Sequence, residues 1–105
     1  MNDITISGLQ KYIKAKDYRP ELKKDYFLKL SEEVGELAQA IRKNATPADE
    51  STFKGSVEEE IYDVIYYALA IANLYDIEVE KWIPVKERLN DAKYGTQNAD
   101  KLFTL

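Results

Sequence analysis

Apolar residues recur at steps of three and four along this chain, and no stretch sustains the every-second-residue alternation of a half-buried strand. That period predicts four helices and an all-α fold. The first runs from about Ser7 to Lys16, with Ser7 and Gln10 as a capping box. The second runs from Glu21 or Lys24 to Lys43. A polar connection, Asn44 to Gly55, follows, in which Thr46-Pro47 starts a single helical turn. Ser56 with Glu59 reads as another capping box and opens the third helix, which extends to about Tyr75. The fourth spans roughly Glu78 to Lys93, broken or kinked at Pro84 and stopped at Gly95. Residues 1–95 form one domain in this reading. Residues 96–105 form a C-terminal tail whose Leu102, Phe103 and Leu105 are available to dock.

Helical wheels sharpen the pattern. On the second helix Tyr26, Leu30, Glu33, Leu37 and Ala40 step by 4, 3, 4 and 3, the stepping of a packing seam that Glu33 interrupts. Glu36 lies about 60° to one side of Glu33, and Glu32 about 100° away, further from the apolar stripe. The third helix carries two apolar seams. One holds Ile61, Ile65, Ala68 and Ala72; the other holds Tyr67, Ile71 and Leu74, with Glu60 and Asp63 aligned on its first turns. A helix apolar on more than one side requires burial on more than one side. A chain of 105 residues offers few helices to surround it, so self-association is expected, against a compact monomeric bundle as the alternative.

Composition changes this picture chiefly by subtraction. There is no cysteine and no histidine. Disulfides, thiolate metal sites, the commonest zinc ligand and the commonest general base are all absent. A metal here must be held by oxygen, which favours magnesium or manganese. The net charge of −4 does not attract nucleic acid. No signal peptide is expected at the N-terminus, and Ile61 to Tyr75 is too short and interrupted to span a membrane. A cytoplasmic location fits these features.

Two acidic pairs spaced i, i+3 on neighbouring antiparallel helices can converge on a small volume. Buried carboxylates without partners are costly, and a divalent cation is their natural compensating charge. Acids in a first helical turn are otherwise ordinary, which accounts for Glu58 and Glu59. It accounts neither for Asp63 nor for Glu33 in mid-helix. Glu33 and Glu36 could alternatively be surface residues pairing with Lys29 or Lys43.

Glu32-Glu33-x-x-Glu36, then 23 residues, then Glu60-x-x-Asp63, resembles the EExxE…ExxD signature of the MazG-like, all-α nucleoside triphosphate pyrophosphohydrolases. The stretches "LKLSEEVGELAQAIRK" and "EEEIYDVIYYALAIANLYDIEVEKW" are similar to that family, and "LNDAKYG" resembles its Asn-x-x-Lys-Tyr element. The resemblance covers roughly residues 5 to 95. It implies a four-helix bundle completed by self-association into a dimer or tetramer, and magnesium-dependent cleavage of a nucleoside triphosphate to monophosphate and pyrophosphate. It implies Glu33, Glu36, Glu60 and Asp63 as metal ligands, and leaves Glu32 a supporting or water-activating role. Without histidine the proton acceptor is a carboxylate, with Glu32 and Glu36 as candidates. Asn90, Lys93 and Tyr94, and Lys54 before the third helix, are the candidate substrate contacts. Tyr12, Tyr18, Phe27 and Trp82 could stack on a base, but core packing is the weightier reading for each. Two other readings stay open: a relative specific for dUTP, dCTP or phosphoribosyl-ATP, and a non-catalytic helical oligomer acting as adaptor or regulator.

Overall fold

The seam on the second helix organises the molecule. The computed structural model describes residues 3–104. Its helices are α1 (Ile6–Lys16), α2 (Lys23–Arg42), α3 (Val57–Leu74) and α4 (Val79–Tyr94). No strand occurs among the described residues. Short 3-10 turns stand at Pro20–Leu22, Glu50–Thr52 and Ala99–Phe103. Leu105 lies outside the described residues.

On α2 the expected seam is the buried one: Tyr26, Glu33 and Ala40 are buried, and Leu30 and Leu37 half-buried. It packs on α3, the principal helix–helix contact of the chain. The two helices run antiparallel, because Glu33 meets Glu60 at one end while Tyr26 joins Ala70 and Leu74 at the other. α1 packs antiparallel on α3 as well. Gln10 bonds Asn73, and seven residues later Asp17 bonds Tyr66. Ile13 fills the space between and is completely buried.

On α3 the two seams part company. Tyr67, Ile71 and Leu74 of the second face the core together with Leu69 and Ala70. Of the first, Ala72 is buried, whereas Ile61 and Ile65 are 46% and 44% exposed, without a cover among the described residues. The stacking candidates meet the same fate. Tyr12, Tyr18, Phe27 and Trp82, expected to be core, are all exposed on the single chain.

Two polar devices fix α1. The buried Gln10 amide donates to the Asn73 side chain and to the Ile77 carbonyl, while its oxygen accepts from the Val79 backbone. Asn73 returns a bond to the Gln10 carbonyl. Every arm is used, so the network ties α1 to the turn between α3 and α4. Gln10 is therefore no capping residue; Thr5 caps α1 by accepting from the Gly8 N–H at 2.9 Å. At the other end the Asp17 carboxylate accepts from the hydroxyls of Tyr26 and Tyr66, at 2.5 and 2.9 Å. Burial and that carboxylate raise both phenol pKa values, Tyr26 to about 12, so both stay donors.

Other local expectations divide. Ser56 caps α3 as expected by accepting from the Glu59 N–H. The Glu59 carboxylate reaches one residue further back, to the Gly55 N–H, instead of closing the box on Ser56. The helical turn in the connection forms at Glu50–Thr52 under an Asp49 cap, three residues beyond the start that Thr46-Pro47 offered. α4 runs unbroken through Pro84 and ends at Gly95, whose φ of 66° suits glycine. The missing Pro84 N–H forfeits one bond close to the helix start. Beyond Gly95 the chain folds back on α4: the Asp91 carboxylate accepts from the Thr96 hydroxyl and the Asn98 and Ala99 N–H groups.

Replacing Asn73 with Ala strands a buried amide and a carbonyl. Denaturant unfolding at fixed protein concentration should show a loss of about 2 kcal/mol. Combining it with Gln10→Ala should cost less than the sum of the two single losses, because the partners are shared.

Candidate metal centre

The inner seam of α2 and the first turns of α3 carry four acids to one place. Glu33 and Glu60 are 7% and 6% exposed, values that only paired or ligated carboxylates normally reach. Asp63 is half-buried, and Glu36 stands exposed on the rim. One carboxylate oxygen each from Glu33, Glu36 and Glu60 lie within 4.8 Å of one another. Glu59, Glu60 and Asp63 form a second such group. A cavity of about 400 Å³ opens over them, lined also by Gln39, Ala40, Lys43, Lys54 and Gly55.

The electrostatics are unbalanced. Glu33 Oε2 and Glu60 Oε2 are buried without a hydrogen-bond partner among the described residues. Burial, then the Glu36 carboxylate, pushes Glu33 up from 4.5 to about 7. Burial likewise raises Glu60, with Glu36 and Asp63 adding to it. Asp63 is raised by burial and by the charges of Glu59 and Glu36. The ion pairs among the described residues are Arg19–Glu21 and Lys29–Glu32, both exposed, and neither neutralises the cluster. Hard oxygen donors, two orphaned buried oxygens and no ion pair to any of these acids among the described residues fit a divalent cation.

The other candidates are distributed unevenly. Glu32 is exposed, pairs with Lys29 at 3.5 Å, and does not line the cavity. Its place outside the seam follows the wheel order. Lys54 lines the cavity. Asn90, Lys93 and Tyr94 do not line it within the same chain. Asn90 donates to Glu87 at 3.2 Å, and the Lys93 ammonium sits over the exposed Tyr94 ring. Sequence reasoning named Lys43 only as a surface partner for Glu33 or Glu36 and not as part of the site; its step of seven from Glu36, two turns along the same face, was the signal. It also passed over Glu59 at the cavity wall as an ordinary first-turn acid.

Residues 22–89 match the MazG nucleotide pyrophosphohydrolase domain, and the chain belongs to that family. The membership supports a nucleotide pyrophosphohydrolase-type function. Among individual relatives, the chain is 33% identical to the uncharacterized protein YpjD of Bacillus subtilis (strain 168), across 96% of this chain and 93% of that one. It is also similar to crystal structures of iMazG from Vibrio DAT 722. An N-tagged form superposes with a TM-score of 0.80 at 48% identity, over 87% of this chain and 98% of that one. A C-tagged form gives 0.79 at 47% identity, over 84% and 99%.

The raised carboxyl of Glu33 sets a pH dependence. Its proton is held more tightly in the folded state, so the stability it supplies is complete below 4.5 and is lost as pH climbs through about 7. A divalent cation held by the cluster would compete with that proton. The rise in melting temperature on adding magnesium should therefore be small at pH 5 and grow towards pH 8. A magnesium effect independent of pH would contradict this account of the cluster.

Proposed function

We propose that this protein is a magnesium-dependent nucleoside triphosphate pyrophosphohydrolase, releasing pyrophosphate and a ribo- or deoxyribonucleoside monophosphate in nucleotide-pool house-cleaning. Manganese would serve in place of magnesium. The observation that carries the reading is the pair of orphaned buried oxygens on Glu33 and Glu60, set among Glu36 and Asp63 in a MazG-family chain. Bound there, a divalent cation supplies neutralisation of phosphate charge and a lowered pKa for water.

The residues divide the remaining work. Glu33, Glu36, Glu60 and Asp63 hold the cation. Glu36 is the stronger candidate for accepting the proton of the attacking water, because it lies on the cavity rim, whereas Glu32 is turned towards Lys29. Lys54 and Lys43 flank the cavity mouth as point charges suited to phosphate. Water attacks the α-phosphorus and pyrophosphate departs. Purified protein assayed on canonical, deoxy and damaged nucleotides should release pyrophosphate with magnesium and none with chelator. The panel separates a general enzyme from a relative specific for dUTP, dCTP or phosphoribosyl-ATP. Glu33→Gln should keep the fold and lower turnover at least about 100-fold. A non-catalytic adaptor predicts no release and no effect of that substitution.

Self-association belongs to the same proposal. The chain exposes 8193 Å², against about 6,000 Å² for a compact monomer of this length. Its radius of gyration is 16.3 Å, against about 13 Å. The excess, about 2,000 Å², is of the size that obligate interfaces bury. Ile61, Tyr62 and Ile65 stand exposed beside the acids of α3 and supply a face for a second copy. Asn90, Lys93 and Tyr94 would then act on the acid cavity of a neighbouring copy. Light scattering should give a dimer or tetramer, and Ile61→Asp with Ile65→Asp should shift it towards monomer. Mixing inactive Glu33→Gln and Lys93→Ala chains should restore part of the activity; no recovery would argue against a shared site.

A further inference from the structure

We propose that Asp17 is a positioning residue for the acid centre: its carboxylate clasps α2 to α3 just short of the acids and so sets how closely the two acid-bearing helices approach. The use of the centre rests on the metal-dependent reading above; the clasp rests on the hydrogen bonds of Asp17 alone.

Three elements meet at this side chain. Asp17 directly follows α1, and its backbone N–H donates to the Ile13 carbonyl at 2.8 Å. Its Oδ1 accepts from the Tyr26 hydroxyl of α2 at 2.5 Å, and its Oδ2 from the Tyr66 hydroxyl of α3 at 2.9 Å. One oxygen therefore serves each helix. Outside the acid cluster, Asp17 is the one side chain among the described residues that hydrogen-bonds to both α2 and α3. An ionised carboxylate only accepts, so it takes both phenols as donors, and its charge strengthens both bonds. The surroundings hold the rings in place. The Arg19 N–H donates to the Tyr26 oxygen at 3.2 Å, and the Lys16 ammonium sits 5.0 Å from the centre of the Tyr66 ring.

The place of the clasp gives it a role beyond holding the fold. Tyr66 is three residues from Asp63, and Tyr26 seven from Glu33, about 4.5 and 10 Å along their helices. The core cluster of Ile13, Tyr26, Leu69, Ala70 and Leu74 lies level with the clasp or further from the acids. Repulsion among Glu33, Glu36, Glu60 and Asp63 acts on the other side of it and drives the helix ends apart. Asp17 is thus the last hydrogen-bonded fastening before the charges. Ligand groups need to be held to within about 0.5 Å, so a small splay that the core survives is enough to spoil the centre.

Two variants open the clasp with both rings in place: Asp17→Asn, and Tyr26→Phe combined with Tyr66→Phe. Asn73→Ala loosens the opposite end of α1 and is the control for general destabilisation. The manganese dissociation constant of the full chain is measured by electron paramagnetic resonance. In chelator, amide hydrogen exchange at residues 30–37 and 60–64 is compared with that at residues 69–74. Both clasp variants should weaken manganese binding about tenfold and speed exchange at the acid end relative to the core. Asn73→Ala should leave the manganese affinity and that exchange ratio as in the parent. Parent values in the clasp variants would overturn the proposal, and so would an equal loss of affinity in Asn73→Ala. An unaltered chain that binds no manganese would remove the metal-dependent reading; the exchange ratio then decides the clasp by itself, an unchanged ratio overturning it. Tyr66→Phe alone, which keeps the Tyr26 bond, answers the same two measurements if the double variant does not fold.

Discussion

Opposed carboxylates on α2 and α3, drawn out of water with nothing positive between them, are the constraint on which the rest of this structure turns. Hydrophobic contact around Ile13, Tyr26, Leu69, Ala70 and Leu74 holds the far end of the helix pair together. At the near end the same antiparallel packing forces Glu33 against Glu60. Folding therefore pushes charges together, and the penalty appears as raised carboxyl pKa values and two oxygens without donors. A core that performed no chemistry would have an apolar residue at position 33, completing the seam of Tyr26, Leu30, Leu37 and Ala40. Glu33 instead gives up stability locally, a cost that a bound cation would offset.

The same logic separates the two polar systems of the interior. Gln10, Asn73 and the backbone of residues 77–79 satisfy one another, so that network closes and only holds structure. The acid cluster stays open, with a cavity over it and lysines at its mouth. A saturated network resists a ligand; an unsaturated one needs one. MazG-family membership and the open cluster thus describe one fact from two directions.

Legibility in the sequence followed the same divide between local and distant causes. The α2 seam was readable because every packing residue on it, and the acid that interrupts it, lies within twenty residues of one period. Glu33 as the innermost acid and Glu32 as the outermost came from that wheel alone. On α3 the seam of Tyr67, Ile71 and Leu74 was readable, but the exposure of Ile61 and Ile65 was not, because the helix is apolar nearly all round and periodicity cannot say which side its own chain covers. Tyr12, Phe27 and Trp82 went wrong for the same reason: an aromatic without a local partner looks identical to one with a distant partner. Gln10 looked like a capping residue because its true partners, Asn73 and Ile77, lie more than sixty positions away. Lys43 was legible only as a surface partner for the acids, because its place at the cavity depends on the loop of residues 44–55, which brings Lys54 to the same lining. The placement of Asn90, Lys93 and Tyr94 depends on how α4 sits, which no local pattern records.

α4 contributes no buried residue of its own. It is fastened near its start, where the Gln10 oxygen accepts from the Val79 N–H and the Glu80 carboxylate accepts from the Ser7 N–H at 2.8 Å. At its other end Asp91 fastens only the chain that follows, which stiffens the helix without anchoring it to the body. The helix is therefore a cantilever of 16 residues, about 24 Å long. A tilt of about 10° at the anchored end would carry Tyr94 through about 4 Å. Small adjustments around Gln10 and Glu80 are thereby magnified at Asn90 and Lys93, and the reach of that arm is governed from the opposite end of the helix.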